Sequence, residues 1–244
     1  MKKCPDVSYY QYRYASNGDI EKYIDFQKMR GQVDSVIVRA GQNTWQDIAF
    51  TTSWLAAKEA GLQRGSYWFF DSRANPKRQA EKWVDALGND AGELELWCDF
   101  EEKYGGLFGG MANWYDVTER VKTLLPHKQI GVYTGYYYWR ENFKSESLQN
   151  YFGQYPLWIA AYNTDSPRIP SPWTDWLMWQ YTDNGQGDLY GVPSGNIDLN
   201  YRKGEIVGNP PTPPPPFASF GGGGGGYETP LPQGVGKRQA GSAG

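Results

Sequence analysis

The sequence predicts an α/β fold: a TIM-like (β/α) barrel, regular at its start and irregular at its end. Three observations carry that expectation. Short apolar, β-branched or aromatic runs alternate with helix-like stretches. The runs begin near residues 35, 64, 94 and 129, a repeat of about 30 residues that matches one βαβ unit and implies a parallel sheet with helical crossovers. After Tyr133 the rhythm gives way to strand-like segments joined by loops rich in Pro, Gly, Asn and Asp. No glycine-rich phosphate loop follows the first strand, which argues against a flat doubly wound sheet. A chain of 244 residues is long enough for one such barrel.

The elements follow in order. A first strand around Cys4–Ser8 precedes a helical pattern from Asp19 to about Arg30, where Ile20, Tyr23, Ile24 and Met29 approximate a 3.6-residue period. Ser35-Val36-Ile37-Val38-Arg39-Ala40 reads as a buried strand. A helix from about Ile48 to Ala60 stops at Gly61, a C-terminal cap signal. Strand 64–70 follows, then a helix opened by Pro76 and reaching about Leu87, strand 94–100, a helix over 112–125 halted by Pro126, and strand 129–133. The closing strands are Leu157–Tyr162, Leu177–Tyr181 and Asn196–Leu199, with too little sequence between the last of them for full helices. From Gly208 the composition breaks into a proline run and then six consecutive glycines over 221–226. Residues 1–207 are therefore expected to form the barrel and 208–244 a linker or disordered tail, either an inert spacer or a tether to a virion or other partner.

Composition removes several kinds of function. A net charge of −3 gives no electrostatic reason to expect nucleic acid or an anionic membrane, and no apolar run is long enough to insert into a bilayer. The basic start lacks the apolar stretch of a secretory signal. The single histidine, His127, lies in a turn-like segment, which rules out a multi-histidine zinc site. Cys4 and Cys98 each fall in a strand and are expected to be buried free thiols. No loop has the ligand spacing of a calcium-binding hand, so neither metal nor cofactor is expected. Chemistry has to come from carboxylates, or be absent. With 11 Trp and 19 Tyr, most rings must fill core, and the surplus suits a cleft for sugars.

Asp99-Phe100-Glu101 ends the run Leu94-Glu95-Leu96-Trp97-Cys98. Alternation along a strand puts Asp99 and Glu101 on one face, about 7 Å apart along the backbone. Two acids so placed cannot ionise independently, and one acid with one base is the expected outcome. Asp6 closes the first strand and Asp198 the last, so distant acids are expected to meet at one rim, where barrels carry their active sites, with turn or capping roles for Asp6 and Asp198 as the alternative. Tyr67, Tyr133, Tyr162 and Gln180 lie at or near strand ends on that rim. They are candidates to stack on or hydrogen-bond a glycan, with core packing as the alternative, and Arg39 is a candidate to hold the acids together.

Pro5-Asp6-Val7-Ser8-Tyr9-Tyr10-Gln11, Val36-Ile37-Val38-Arg39-Ala40-Gly41, Gly65-Ser66-Tyr67-Trp68-Phe69, Leu96-Trp97-Cys98-Asp99-Phe100-Glu101, Gly131-Val132-Tyr133-Thr134-Gly135, Pro156-Leu157-Trp158-Ile159-Ala160-Ala161-Tyr162, Trp179-Gln180-Tyr181 and Ile197-Asp198-Leu199-Asn200 together resemble the family 25 glycoside hydrolases, the N-acetylmuramidase lysozymes. The resemblance spans about residues 4 to 203. It implies an irregular (β/α) barrel that hydrolyses the β-1,4 bond between N-acetylmuramic acid and N-acetylglucosamine in peptidoglycan glycan strands; separately, a monomer is expected. Glu101 matches the family's general acid/base, Asp99 its partner, and Asp6 and Asp198 the acids that complete the site. Trp68 stands where the family commonly has histidine and Ala161 where it commonly has arginine, departures that bear on substrate preference. A phage-type lysin is the expectation, released by a holin or carried in a virion. A non-catalytic glycan-binding barrel and a chitin-directed barrel glycosidase are the alternatives.

Overall fold

The structure, a computed structural model, describes residues 1–142 and 145–204; the expected tail lies outside them. Eleven strands appear in chain order: β1 Lys2–Val7, β2 Arg13–Tyr14, β3 Ile20–Lys22, β4 Ser35–Gln42, β5 Trp45–Gln46, β6 Gln63–Phe69, β7 Leu96–Asp99, β8 Ile130–Gly135, β9 Leu157–Ala160, β10 Met178–Gln186 and β11 Asn196–Arg202. The helices are α1 Phe26–Arg30, α2 Phe50–Glu59, α3 Pro76–Leu87, α4 Met111–Leu124, α5 Tyr136–Glu141 and α6 Glu146–Phe152. The sheet runs β1-β11-β10-β9-β8-β7-β6-β4 and closes through β1–β4, with β5 hanging from β4 as a short hairpin. The result is an eight-stranded barrel.

The barrel is not parallel throughout. Pairing is parallel from β1 through β4, β6, β7, β8 and β9 to β10, but β11 runs antiparallel to both β10 and β1. An antiparallel neighbour needs only a short return where a parallel one needs a crossover helix. That is why the stretch between β10 and β11 carries no α-helix. Helices α5 and α6 do occupy the β8–β9 connection, where the sequence suggested only loop.

The expected helix over 19–30 is replaced by a two-stranded ribbon and a five-residue helix. β2 pairs β3, Arg13 opposite Lys22 and Tyr14 opposite Ile20, and Gly18 takes φ +88° in the turn between them. Asn17-Gly18 is a strong local hairpin signal, and it overrides the weak helical periodicity. Asp25 then caps α1 by accepting from the Lys28 amide at 2.9 Å. The other helices fall close to their expected places. α3 begins with Pro76 at its first position, and Asn75 accepts from the Lys77 and Arg78 amides at 3.0 and 3.2 Å.

Side chains alternate between two apolar regions. The larger lies between barrel and helices and contains Trp68, Trp83, Cys98, Phe100, Trp114 and Trp139; the smaller, inside the barrel, contains Cys4, Ile37, Tyr67, Trp97, Tyr133, Trp158 and Met178. Most of the aromatic surplus is thus core. Gly131, on the inner face of β8, makes room for Trp97: a Cβ there would meet the indole at 2.3 Å. At the end of the barrel where β7 begins, Arg202 and Glu95 form a buried ion pair at 2.8 Å. Cys4 and Cys98 are buried free thiols, and burial pushes each up to about 12.

Candidate active site

The inward-facing residues of β7 and its continuation are Trp97, Asp99 and Glu101, and the outward ones are Cys98 and Phe100. Phe100 fixes that phase. It is fully buried, stacks on Trp114 of α4 with centroids 4.8 Å apart and meets Phe70 and Phe152 edge-on. Its backbone is held from the next strand as well: its N–H donates to the Tyr133 carbonyl at 2.9 Å, and Thr134 Oγ1 donates to its carbonyl at 2.9 Å. With Phe100 anchored outward, the carboxylates on either side of it face the barrel mouth. Asp99 is buried and Glu101 half-buried.

The second pair of acids comes from the ends of the fold. Asp6 and Asp198 sit directly opposite each other in the β1–β11 ladder, so their side chains share a face. Because β11 is antiparallel, Asp198 reaches the mouth from the start of its strand rather than from its end. Gln180 of β10 joins them: its Nε2 donates to Asp6 Oδ2 at 2.9 Å and to Asp198 Oδ2 at 3.4 Å. Its Oε1 accepts from the Tyr133 hydroxyl at 2.8 Å and the Tyr162 hydroxyl at 2.6 Å. Two phenol donors on one side and two carboxylate acceptors on the other leave the amide one orientation. Asn200, which sequence reasoning did not single out, donates from Nδ2 to Asp6 Oδ2 at 2.9 Å and is itself fixed by Trp158 Nε1 at 2.7 Å.

Asp99 and Glu101 belong to the same neighbourhood. Asp99 pairs in register with Tyr133, whose hydroxyl is on Gln180. Burial first, then the charges of Glu101, Asp198 and Asp6, push the Tyr162 hydroxyl well above the ordinary phenol value. In the neighbouring connection after β8, burial first and then Glu102, Asp99 and Glu101 do the same to Tyr138. Both phenols stay protonated as donors. The structure thus gathers Asp6, Asp99, Glu101, Asp198, Tyr133, Tyr162 and Gln180 at one mouth. Tyr67 lies in the middle of β6, buried and edge-on to Trp158 at 6.1 Å. With Tyr133 and Gln180 also buried, these groups form the floor of the mouth and offer no open ring face for stacking.

Two features were not foreseen. Glu102 is buried and clamps two loops: its Oε1 accepts the Ser72 amide at 3.0 Å, its Oε2 the Tyr104 amide at 2.5 Å, and its carbonyl the Tyr138 hydroxyl at 2.6 Å. The peptide carrying Glu101 is thereby tied down on its far side; an acid immediately after the D-x-E was the available signal. Arg39, expected to hold the four acids, is ion-paired at 2.8 Å with Asp47, which also accepts the Tyr9 and Ala49 amides. Burial works against the Arg39 charge, but Asp47 and then Tyr67 more than offset it and hold the guanidinium above its ordinary value. Trp68 points outward, stacked near Trp83 of α3, so its departure from the family pattern alters packing behind the sheet and not the mouth.

Residues 6–188 match the family described as "Glycosyl hydrolases family 25". The chain belongs to this family. Among curated relatives, "Uncharacterized protein YegX" of Escherichia coli K12 is 28% identical over 166 residues, 66% of this chain and 55% of that one. "Lysozyme M1" of Streptomyces globisporus is 27% identical over 175 residues, 67% of this chain and 58% of that one. The chain spans little more than half the length of these relatives. The bacterial lysozyme of Streptomyces coelicolor superposes with a TM-score of 0.66 at 21% identity, over 83% of this chain and 92% of that one, and shares the family 25 fold. Among the described residues no group of three or more His, Cys, Asp or Glu is disposed to hold a metal ion.

Proposed function

We propose that the chain is a peptidoglycan muramidase, hydrolysing the β-1,4 bond between N-acetylmuramic acid and N-acetylglucosamine. The observation that carries this reading is the gathering of two inward carboxylates from β7 and two from β1 and β11 at one mouth, knitted by Gln180. Family membership and the named lysozyme relative support it. Half-buried Glu101 is the general acid that protonates the leaving oxygen and then, as carboxylate, activates water. Buried Asp99, one inward step below, orients the sugar's 2-acetamido group for attack on the anomeric carbon and stabilises the resulting positive intermediate, giving substrate-assisted retention. Asp6 and Asp198, locked by Gln180, complete the negative field around that intermediate. In this reading the enzyme works as a monomer on bacterial walls, reached by holin-type release or from a virion.

Mass spectrometry of digested peptidoglycan tests the bond: muramidase action leaves N-acetylmuramic acid at the new reducing end. Digestion of chitin alone points instead to the chitin-directed alternative, and binding without cleavage to a glycan-binding barrel. Glu101→Gln is expected to keep the fold and lose at least ~10²-fold in turnover, the scale of lost acid/base help. Unchanged clearing of cell walls by that variant removes the role given to Glu101. Methanol trapping reads the stereochemistry, and an inverted product defeats substrate-assisted retention.

A further inference from the structure

Most described arginines face a carboxylate: Arg30, Arg39, Arg64, Arg73, Arg78, Arg120 and Arg202 are all in ion pairs. Arg13, Arg140 and Arg168 have no such partner among the described residues, and two of these three meet at one place. The Arg140 guanidinium lies 5.4 Å from the centre of the Tyr136 ring and that of Arg168 6.0 Å from the same centre. Arg140 also donates to the Tyr136 hydroxyl at 3.3 Å and Arg168 to the Tyr137 hydroxyl at 3.3 Å. Both guanidiniums are exposed. Two like charges around one ring repel each other, and no acid among the described residues forms an ion pair with either.

The position is as informative as the charge. Tyr136 opens α5 directly after β8, and two residues further on Tyr138 hydrogen-bonds the carbonyl of Glu102, next to the proposed acid. Arg168 comes from the loop after β9, the loop that also carries Tyr162. The pair therefore stands on the wall of the mouth between the β8 and β9 connections, outside the four acids. A guanidinium that gives one N–H to a tyrosine hydroxyl keeps its remaining donors for the fork geometry of a carboxylate.

Resting on the muramidase reading, we infer that Arg140 and Arg168, braced on Tyr136 and Tyr137, bind the carboxylates of the peptide stem carried by the glycan. The enzyme thereby favours peptide-bearing over bare glycan. The stem's anionic groups supply the partners that the protein itself withholds.

The test uses the full chain and its Arg140→Gln/Arg168→Gln double variant on peptidoglycan freed of phosphate polymers, compared with the same glycan after an amidase has removed its stems. Both side chains are exposed, so the variant is expected to melt with the wild type. KM on stem-bearing glycan is expected to rise about tenfold, the scale of losing charge-assisted hydrogen bonds, with kcat little changed and kinetics on stripped glycan unaltered. Arg13→Gln, which removes an unpaired arginine elsewhere, is expected to behave as wild type on both. Equal losses on the two substrates, or no loss on either, overturns the inference while leaving the muramidase reading intact. A wild-type protein that cleaves neither substrate overturns both.

Discussion

At the scale of single residues, Gln180 ties the mouth together. It converts two phenols and two carboxylates into one hydrogen-bonded unit, and its value lies in having a donor end and an acceptor end. Gln180→Glu keeps the acceptor and loses the donors, placing a third negative charge against Asp6 and Asp198. Turnover at neutral pH is expected to fall about 10²-fold. Part of it should return as the pH is lowered, because the introduced carboxyl, once protonated, regains one donor. A pH–rate profile for the variant that merely parallels the wild type counts against this role. Gln180 was noticed in the sequence for its place near a strand end, but its hub role was not legible there, because it depends on which strands become neighbours. Asp99 and Glu101 were legible from strand alternation alone, whereas Phe100, which holds their phase, was not singled out.

Elements show where sequence patterns speak clearly and where they do not. The first βα units were readable because apolar runs, Pro76 and Gly61 agree with one another. The 19–30 segment was misread because local turn chemistry at Asn17-Gly18 competes with a shallow periodicity. The direction of β11 was also beyond reach, since a strand's pattern looks the same run either way. Strand β8 offers a test of how tightly these elements fit. Gly131→Ala puts a methyl group where the Trp97 indole lies, and overpacking of this kind costs about 1–3 kcal/mol. Denaturant unfolding should show that loss; a variant as stable as the wild type means that Trp97 has room to move.

On the scale of the whole molecule, the end of the barrel opposite the acids carries a charge network that stabilises without taking part in chemistry. Arg64, almost fully buried, bonds Glu93 and Asp90 and lies 4.5 Å from the centre of the Trp54 ring, while Lys58 reaches Asp90 from α2. Burial alone would raise the Asp90 carboxyl, but the hydrogen bonds from Arg64 and Lys58 more than reverse this and bring it down to about 2. A carboxyl depressed in the folded state adds stability above its unfolded value, near 4, and that contribution disappears as the pH falls toward 2. Asp90→Asn is therefore expected to unfold more easily than the wild type at neutral pH, with the gap closing by about pH 2. A gap independent of pH excludes titration of Asp90 as its source.

The seam between β1 and β11 has a consequence for the order in which the molecule comes into being. Asp6 and the strand that faces it are separated by nearly two hundred residues of chain, so the two halves of the site meet only when the barrel closes. A nascent chain shorter than β11 holds three of its four acids and no finished ring to present them. On this view the acidic mouth is completed only by the final zip of the cylinder.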